Sequence, residues 1–483
     1  MPATGQAPGS LAATITSIRD ARPISVWLDR RRVVAPDAVR HSLAGISPVD
    51  LAVVGGGFTG LWAAIEGARN GLRVVVIDGA ELAAGASGRC GGFINSSITH
   101  GVSHGNHRWP DEMSAIVAVQ NAMWHDTLAL IAERDRSELI ESCGKLTVAV
   151  ASHHLTRLTD AAVTHHRWGY RAELLDRDTT RAFVDSPTYR GAVFLPDGNG
   201  LCDPVGLAGV LVEIAQSLGV QFVEGVTIDR IDDERATVRL AGTTSSAGSR
   251  STGSVLARRA ILATNAHRAL DRRPRRRIIP VYDHVIATAP LTTQQWDDIG
   301  WRRRCGVTDA GNRFHYYRPT PDGRILFGGW NATYHFGGRI DARFERSPET
   351  HELLTRHLVD TFPALAGVEI SHAWVGPIDS TSRFTPAFGT SMGGKLAWAV
   401  GFTGLGVGSS RFAAMTALDL LDGVSTERTV LSMVRTAPIP FPPEPIRSVV
   451  VAATKRALIR EDETARRGLW LRLLDRFGVG FDT

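Results

Sequence analysis

The first periodic signal in the chain is Val49–Val54, a mostly apolar run that ends in glycines. An unbroken apolar run of that length reads as a strand buried on both faces, as in a parallel sheet. Gly55 to Gly60 turn the chain, Leu61 to Asn70 have helical composition, Gly71 stops the helix, and Leu72–Ile77 is a second buried strand. This is a β-α-β unit. Ahead of it, residues 1–48 read as an irregular leader rich in Ala, Pro and Arg. From about 110 to 170 the pattern is mostly helical, for example over Ala115–Ala132. Asp203-Pro204 opens a helix to about Leu218, followed by a strand at Val220–Val223 and alternating strands through Leu240. Thr243–Ser254 reads as a Gly/Ser/Thr-rich turn and Leu256–Thr264 as another buried strand. Tyr282–Ala289 and Phe314–Gly329 alternate apolar and polar, which predicts an antiparallel sheet. Leu396–Gly401 is a last strand, leading through glycines into a helix at about Arg411–Leu421. Phe441-Pro442-Pro443 marks a boundary before an amphipathic, arginine-studded tail from Ile446 to about Phe477, and no internal repeat is present.

The 483 residues predict two or three domains, and 43% hydrophobic with 21% charged residues is a globular composition. No apolar run approaches the ~18 residues of a membrane span, and Met1–Ile24 lacks the basic start and apolar core of a signal peptide. Cys90, Cys143, Cys202 and Cys305 are too scattered for a disulfide scaffold or a metal motif, which fits a reducing compartment; the expected location is the cytoplasm. The net charge is +5, carried by arginine clusters such as Arg30–Arg32 and Arg302–Arg304. Solvated surface and binding to nucleic acid or anionic lipid are both open to such clusters. Without an accompanying nucleic-acid motif, the surface reading is taken and no nucleic-acid partner is expected. His100, His104 and His107 fall at i, i+4 and i+7, but no acids accompany them on a clear helix, so a polar loop and no metal site are expected.

Gly55-x-Gly57-x-x-Gly60 lies between the first strand and its helix, and Asp78 ends the second strand. That spacing is a dinucleotide fingerprint: one glycine for the turn, one for close approach of a pyrophosphate, one for helix–strand packing. The helix N-terminus supplies free N–H groups for the diphosphate, and Asp78 is placed to accept from a ribose hydroxyl. The fingerprint alone does not separate FAD from NAD. Three further segments bear on that: the glycine-dense loop Gly85–Gly92, the strand end Ala260–Ala266, and Gly401-Phe402-Thr403-Gly404-Leu405-Gly406-Val407-Gly408 ahead of the last helix. Consecutive backbone N–H groups in such loops form anion-binding nests and can face a flavin edge.

Together, in this order, the segments resemble the glycine/D-amino-acid oxidase-like FAD oxidoreductases, especially the branch typified by gamma-glutamylputrescine oxidoreductase. The resemblance spans nearly the whole chain and includes Phe58-Thr59-Gly60-Leu61-Trp62, Ala263-Thr264-Asn265-Ala266, Phe314–Arg318, Gly323–Gly329 and Trp374–Asp379. It implies an α/β fold: a Rossmann-like FAD-binding domain built from discontinuous segments (49–110, 200–275 and 370–425) and an α+β substrate domain with an antiparallel sheet (111–199 and 276–369), with 426–483 a helical tail. It implies FAD as cofactor, contacted by Gly55, Gly57, Phe58, Thr59, Gly60, Asp78, Gly79, Ser87, Gly88, Arg89, Cys90, Gly91, Gly92, Val226, Thr264, Asn265, Phe402, Thr403, Gly404, Leu405, Gly406 and Val407. The family's chemistry is hydride transfer from the carbon of a C–N bond to flavin N5, hydrolysis of the imine, and reoxidation, usually by molecular oxygen. The implied partners are a small amine or amino acid and oxygen or another electron acceptor, such as a quinone or carrier protein. A flavin-binding redox sensor is the reading from another class.

The chain departs from the family where a substrate-clamping arginine is expected soon after Gly376: Pro377-Ile378-Asp379 follows, with no arginine until Arg383. That favours an amine without an α-carboxylate. Tyr317, Asp379 and Arg383 are the catalytic candidates. Asp379 either meets a substrate cation or caps a turn, and Arg383 or Arg318 would hold an acidic group elsewhere on the substrate. Tyr316, Tyr317 and Trp330 either form an aromatic box for an amine cation or pack the core, and alternation sends the two tyrosines to opposite faces. Cys90 stands where this branch has asparagine, and is either a site of covalent flavin attachment or a small buried thiol. The tail helix either lies on a membrane or quinone surface or packs on its own domain.

Overall fold

The computed structural model describes residues 18–30, 39–246, 249–267 and 270–480. The first seventeen residues, Arg31-Arg32 and the chain end from Phe481 lie outside them.

Val49–Val54, Val74–Ile77 and Gln221–Val223 are parallel neighbours, with Ser249–Leu262 on the other side of Val49–Val54 and Leu396–Val400 beside that. Helices Phe58–Arg69, Pro204–Ser217 and Gly406–Asp422 cover one face through residues such as Leu61, Leu211 and Ala414. On the other face Val75 and Ile77 are buried with Val226, Leu240 and Trp398, so the run Val74-Val75-Val76-Ile77 has no polar side to show. Val226–Asp233, Val238–Ser246 and Ala387–Ser391 extend the sheet to eight strands in antiparallel fashion. Strand pairing runs through most of Thr243–Ser254, predicted as a turn: Gly242 pairs with Gly253 and Thr244 with Ser251.

The second sheet, also of eight strands, runs in the order Ile370–Thr381, Ile278–Thr288, Ile325–Gly329, His315–Pro319, Gly306–Asp309, Lys145–Ala149, Gly191–Leu195 and Glu173–Leu175. It is antiparallel as expected, except that Gly306–Asp309 and Lys145–Ala149 run parallel. Helix Pro348–Thr361 packs one face through Leu354 and Leu358, which leaves the opposite face for the site. Ile370–Thr381, assigned by sequence to the FAD-binding part, pairs along its length with Ile278–Thr288 of this sheet. Lys145–Ala149 and Gly191–Leu195 fell in stretches read as helical or left unread. A small third sheet joins Phe93–Asn95, Asn199–Cys202 and Ile140–Glu141.

The leader, where described, is irregular apart from two short helical pieces, Ile18–Asp20 and Val26–Arg30. The second has Val26 and Trp27 buried against Val205, Val285 and Trp374. The tail forms helices Ile446–Thr464 and Leu469–Arg476. Among the described residues no helix is long and apolar enough to cross a membrane.

Candidate active site

A cavity of about 1170 Å³ is lined from both large sheets, and the glycine turns open on it. Gly55 has a φ of +110°, and a Cβ there would meet the Ala263 carbonyl oxygen at 2.4 Å. A Cβ on Gly60 would meet the Gly55 carbonyl oxygen at 1.8 Å, so the first and third glycines are required by backbone contact. Gly57 sits against Ser87, whose hydroxyl accepts from the Phe58 N–H at 3.0 Å and ties the 85–92 loop to the helix start. The two oxygens of Asp78 accept from Gly56 N–H at 2.6 Å and Ala80 N–H at 2.8 Å, which leaves lone pairs for a hydroxyl donor. Burial pushes the Asp78 acid upward from its ordinary range. Val226, at the start of strand Val226–Asp233, donates its N–H to the Asp78 carbonyl at 2.9 Å, and Gly79 packs on Thr227.

Three side chains from outside the fingerprint hold the carbonyls of the 85–92 loop. Ser25 donates to Gly88 at 2.6 Å, the Trp27 indole to Cys90 at 2.9 Å and the Trp374 indole to Arg89 at 2.9 Å. Arg89 itself pairs with Glu345 at 2.9 Å, and the Gly92 carbonyl accepts from Arg318 at 2.5 Å. Cys90 lines the cavity, and burial pushes its thiol up to about 11, so the protonated thiol stands there at neutral pH.

Asp379 lines the cavity, but its carboxylate is turned on the polypeptide. It accepts from the N–H groups of Gly401 and Phe402 and, at 3.0 Å, from the Asn265 amide, while its own carbonyl accepts from Thr403 N–H at 2.9 Å. One buried acid, raised to about 7 by desolvation, thus ties the 370–381 strand to the Thr264-Asn265 junction and to the loop from Gly401. That loop delivers Phe402, Thr403, Gly404, Leu405, Gly406 and Val407 to the cavity at the N-terminus of helix Gly406–Asp422.

Two helix N-termini, an acid at the second strand end and glycines that admit no side chain therefore converge on one cavity, and these residues fit FAD. The sequence profile of the FAD dependent oxidoreductase family, DAO, matches residues 50–420. The chain belongs to this family. It is an FAD-dependent oxidoreductase. Gamma-glutamylputrescine oxidoreductase of Escherichia coli is 29% identical over 380 residues, 77% of this chain and 84% of the relative. Probable oxidoreductase OrdL of Haemophilus influenzae is 28% identical over 396 residues, 79% of this chain and 84% of the relative. Glycine oxidase from Geobacillus kaustophilus shares the fold with a TM-score of 0.65 at 19% identity, over 81% of this chain and 99% of that one. NikD, an amino acid oxidase of nikkomycin biosynthesis, does so with a TM-score of 0.62 at 17% identity, over 83% and 99%.

Within this flavoenzyme the other catalytic candidates fall away from the cavity. Tyr317 points into the core, stacked on Phe327 at 5.0 Å, with its hydroxyl 2.8 Å from that of Tyr189. It is Tyr316, one residue earlier, that lines the cavity. Arg383 is buried and donates to the carbonyls of Thr436, Pro386 and Met433 at 2.9, 2.9 and 2.6 Å, so it fastens the chain that follows helix Gly406–Asp422 rather than clamping a substrate. Arg318 is spent on Gly92, Cys202 and Pro319 carbonyls. His100 and His104 line the cavity around a short helix, Val102–Arg108, and no metal-binding group forms among the described residues. Trp330 lines the cavity but stacks on His315 at 4.7 Å.

Sequence reasoning missed Asp283. It faces the cavity beside Tyr316, whose hydroxyl donates to it at 2.5 Å, and burial raises its acid to about 6. The Tyr316 ring is wedged against both Gly91 and Gly328, where Cβ atoms would approach it to 2.6 Å. The signal was present in the alternation of Tyr282–Ala289, which puts Asp283 and Val285 on one face.

Proposed function

We propose that the protein oxidises a carbon–nitrogen bond of a small amine or amino acid, with molecular oxygen as the electron acceptor. The observation that carries this reading is the Asp283–Tyr316 pair on the substrate sheet, pressed against Gly91 of the flavin loop. The relatives, a gamma-glutamylputrescine oxidoreductase, a glycine oxidase and an amino acid oxidase, support the same class. FAD would be held by Gly55–Gly60, Asp78, the 85–92 loop and the loop from Gly401, and when bound would supply a two-electron acceptor.

The chain's own contribution is placement and charge. Asp283 keeps one oxygen on Tyr316 and has no other side-chain partner among the described residues, which leaves its second oxygen for a substrate N–H. With its acid near 6 it is ionised at neutral pH, so it draws in a cationic amine and fixes the nitrogen beside the flavin loop. The tail helix contributes Val450, Val451 and Leu458 to the cavity wall, an apolar cover that limits water around the reacting carbon.

The test is anaerobic mixing of the yellow holoenzyme with a panel of primary amines, secondary amines and amino acids. An active substrate bleaches the flavin band near ~450 nm, and the same compound consumes oxygen in air. Bleaching without oxygen uptake moves the acceptor to a quinone or carrier protein. If no amine or amino acid bleaches the band, the C–N reading fails.

A further inference from the structure

Five Arg and Lys side chains line the cavity among the described residues, and four of them have partners. Arg89 pairs with Glu345 at 2.9 Å, Arg157 with Glu461 at 3.7 Å, and Arg313 with Glu463 at 3.7 Å. Lys455 donates to the Asn331 side chain and, at 3.0 Å, to the Ala332 carbonyl. Lys145 also lines the cavity, and its ammonium has no hydrogen bond or ion pair with any described residue.

Its position follows from strand alternation. In Lys145–Ala149, Leu146 and Val148 are buried in the core of the second sheet, while Lys145 and Thr147 face the cavity. The acids that share the cavity are turned to other groups: Asp283 to Tyr316 through one oxygen, Asp309 to His315, Asp197 to Arg171, Glu345 to Arg89, Asp78 to Gly56 and Ala80, and Asp379 to its loop. Burial lowers the lysine's proton affinity, and no carboxylate offsets that. The imidazoles nearest to it in effect, His100 and His165, are also pushed down by burial, His100 to about 3, so neither adds charge at neutral pH. A half-buried ammonium without a counter-ion is costly unless a ligand completes it.

We propose that Lys145 seats a carboxylate of the substrate, remote from the carbon–nitrogen bond that is oxidised. The inference rests on the amine reading above and deepens it. One positive charge matches a carboxylate monoanion, whereas a phosphate dianion calls for more. Remoteness follows from register: Tyr316 pairs with Thr308, Thr308 with Thr147, and Lys145 lies two residues along that strand. Two strand spacings and two residues of rise separate the Cα atoms of Tyr316 and Lys145 by roughly 12 Å. A carboxylate on the reacting carbon itself would lie at the Tyr316 end instead. The substrate class is therefore an amine joined through several atoms to a carboxylate.

The test is equilibrium binding of valerate and its uncharged isostere valeramide to the FAD-loaded full chain, by calorimetry. Wild type is expected to bind valerate at least ten-fold more tightly than valeramide. Lys145→Met and Lys145→Gln are expected to abolish that preference, and Lys145→Arg to retain it, with flavin content and thermal midpoint unchanged in all three. Equal valerate binding in K145M, no valerate preference in wild type, or flavin loss in K145M each overturns the proposal. These readouts need no turnover, so a protein that fails to oxidise amines can still display the anion seat. A protein that oxidises amines yet binds valerate independently of Lys145 loses this inference alone.

Discussion

Tyr316 and Tyr317 leave opposite faces of one strand, and only the first reaches the cavity; the second joins a core network with Tyr189 and Asp309. Arg383 makes the same point through its partners, which are main-chain carbonyls and the Thr436 hydroxyl. Arg383→Ala is expected to lower stability by about 3 kcal/mol, the scale of charged hydrogen bonds lost from a buried site, with KM unchanged in the protein that remains folded. Thermal unfolding beside steady-state kinetics checks both halves, and a raised KM with an unchanged melting point would restore a substrate role. Asp283 sets a pH expectation. Its acid stands at about 6, above the ordinary 3.8, because it is buried. The ionised form is the one that attracts a cationic amine, so kcat/KM should rise with pH through about 6 and level off above it. Asp283→Asn should remove that rise and cut kcat/KM by roughly 10²-fold or more, on the scale of lost substrate positioning. A pH–rate profile of both proteins decides it.

Elements that look peripheral hold the cofactor loops in place. The fingerprint helix was legible because its glycines are spaced by a local turn, and Gly60→Ala would drive a Cβ into the Gly55 carbonyl. Backbone cannot yield there as a flexible side chain would, so G60A should lose bound flavin and soluble yield together, measurable as the absorbance ratio of flavin to protein. The leader carried no such local signature. Its short helix is nonetheless built into the interior through Trp27, which also donates to the Cys90 carbonyl of the 85–92 loop. Trp27→Ala is expected to cost about 3–5 kcal/mol and to weaken flavin retention, read by thermal unfolding and by flavin released on dilution. Retained flavin at a lowered melting point would confine Trp27 to packing.

At the scale of the whole molecule, the site is a joint between two sheets closed by the chain's last helices. Helix Ile446–Thr464 lies beyond the residues matched by the family, yet Val450, Val451, Thr454 and Leu458 form part of the cavity wall. Glu461 and Asp462 grip Asn312 and Arg313 at the rim, with Asp462 accepting from both main-chain N–H groups at 2.8 Å. Removing residues 446–483 is expected to leave the two sheets folded and flavin bound but open to solvent, so that iodide quenches flavin fluorescence several-fold more strongly than in the full chain. Unchanged quenching would show that the tail does not cover the flavin.

What the sequence determined by itself was local: the β-α-β unit, the glycine turns and Asp78. Each is specified within a few residues, by backbone space and by apolar runs that match strand or helix periods. The antiparallel sheet was also legible wherever alternation was strong, as in Tyr282–Ala289 and Phe314–Gly329. Tertiary structure alone decided which polar side chains meet the cavity and which are consumed by the fold. Asp379 and Arg383 sit near the expected place in sequence, but carbonyls and N–H groups from segments tens of residues away claim them. Asp283, Tyr316 and Lys145 come from three strands far apart in the chain and share one face only because of how those strands pair. Burial then sets their protonation, and burial is a property of everything packed around a residue rather than of its neighbours in sequence.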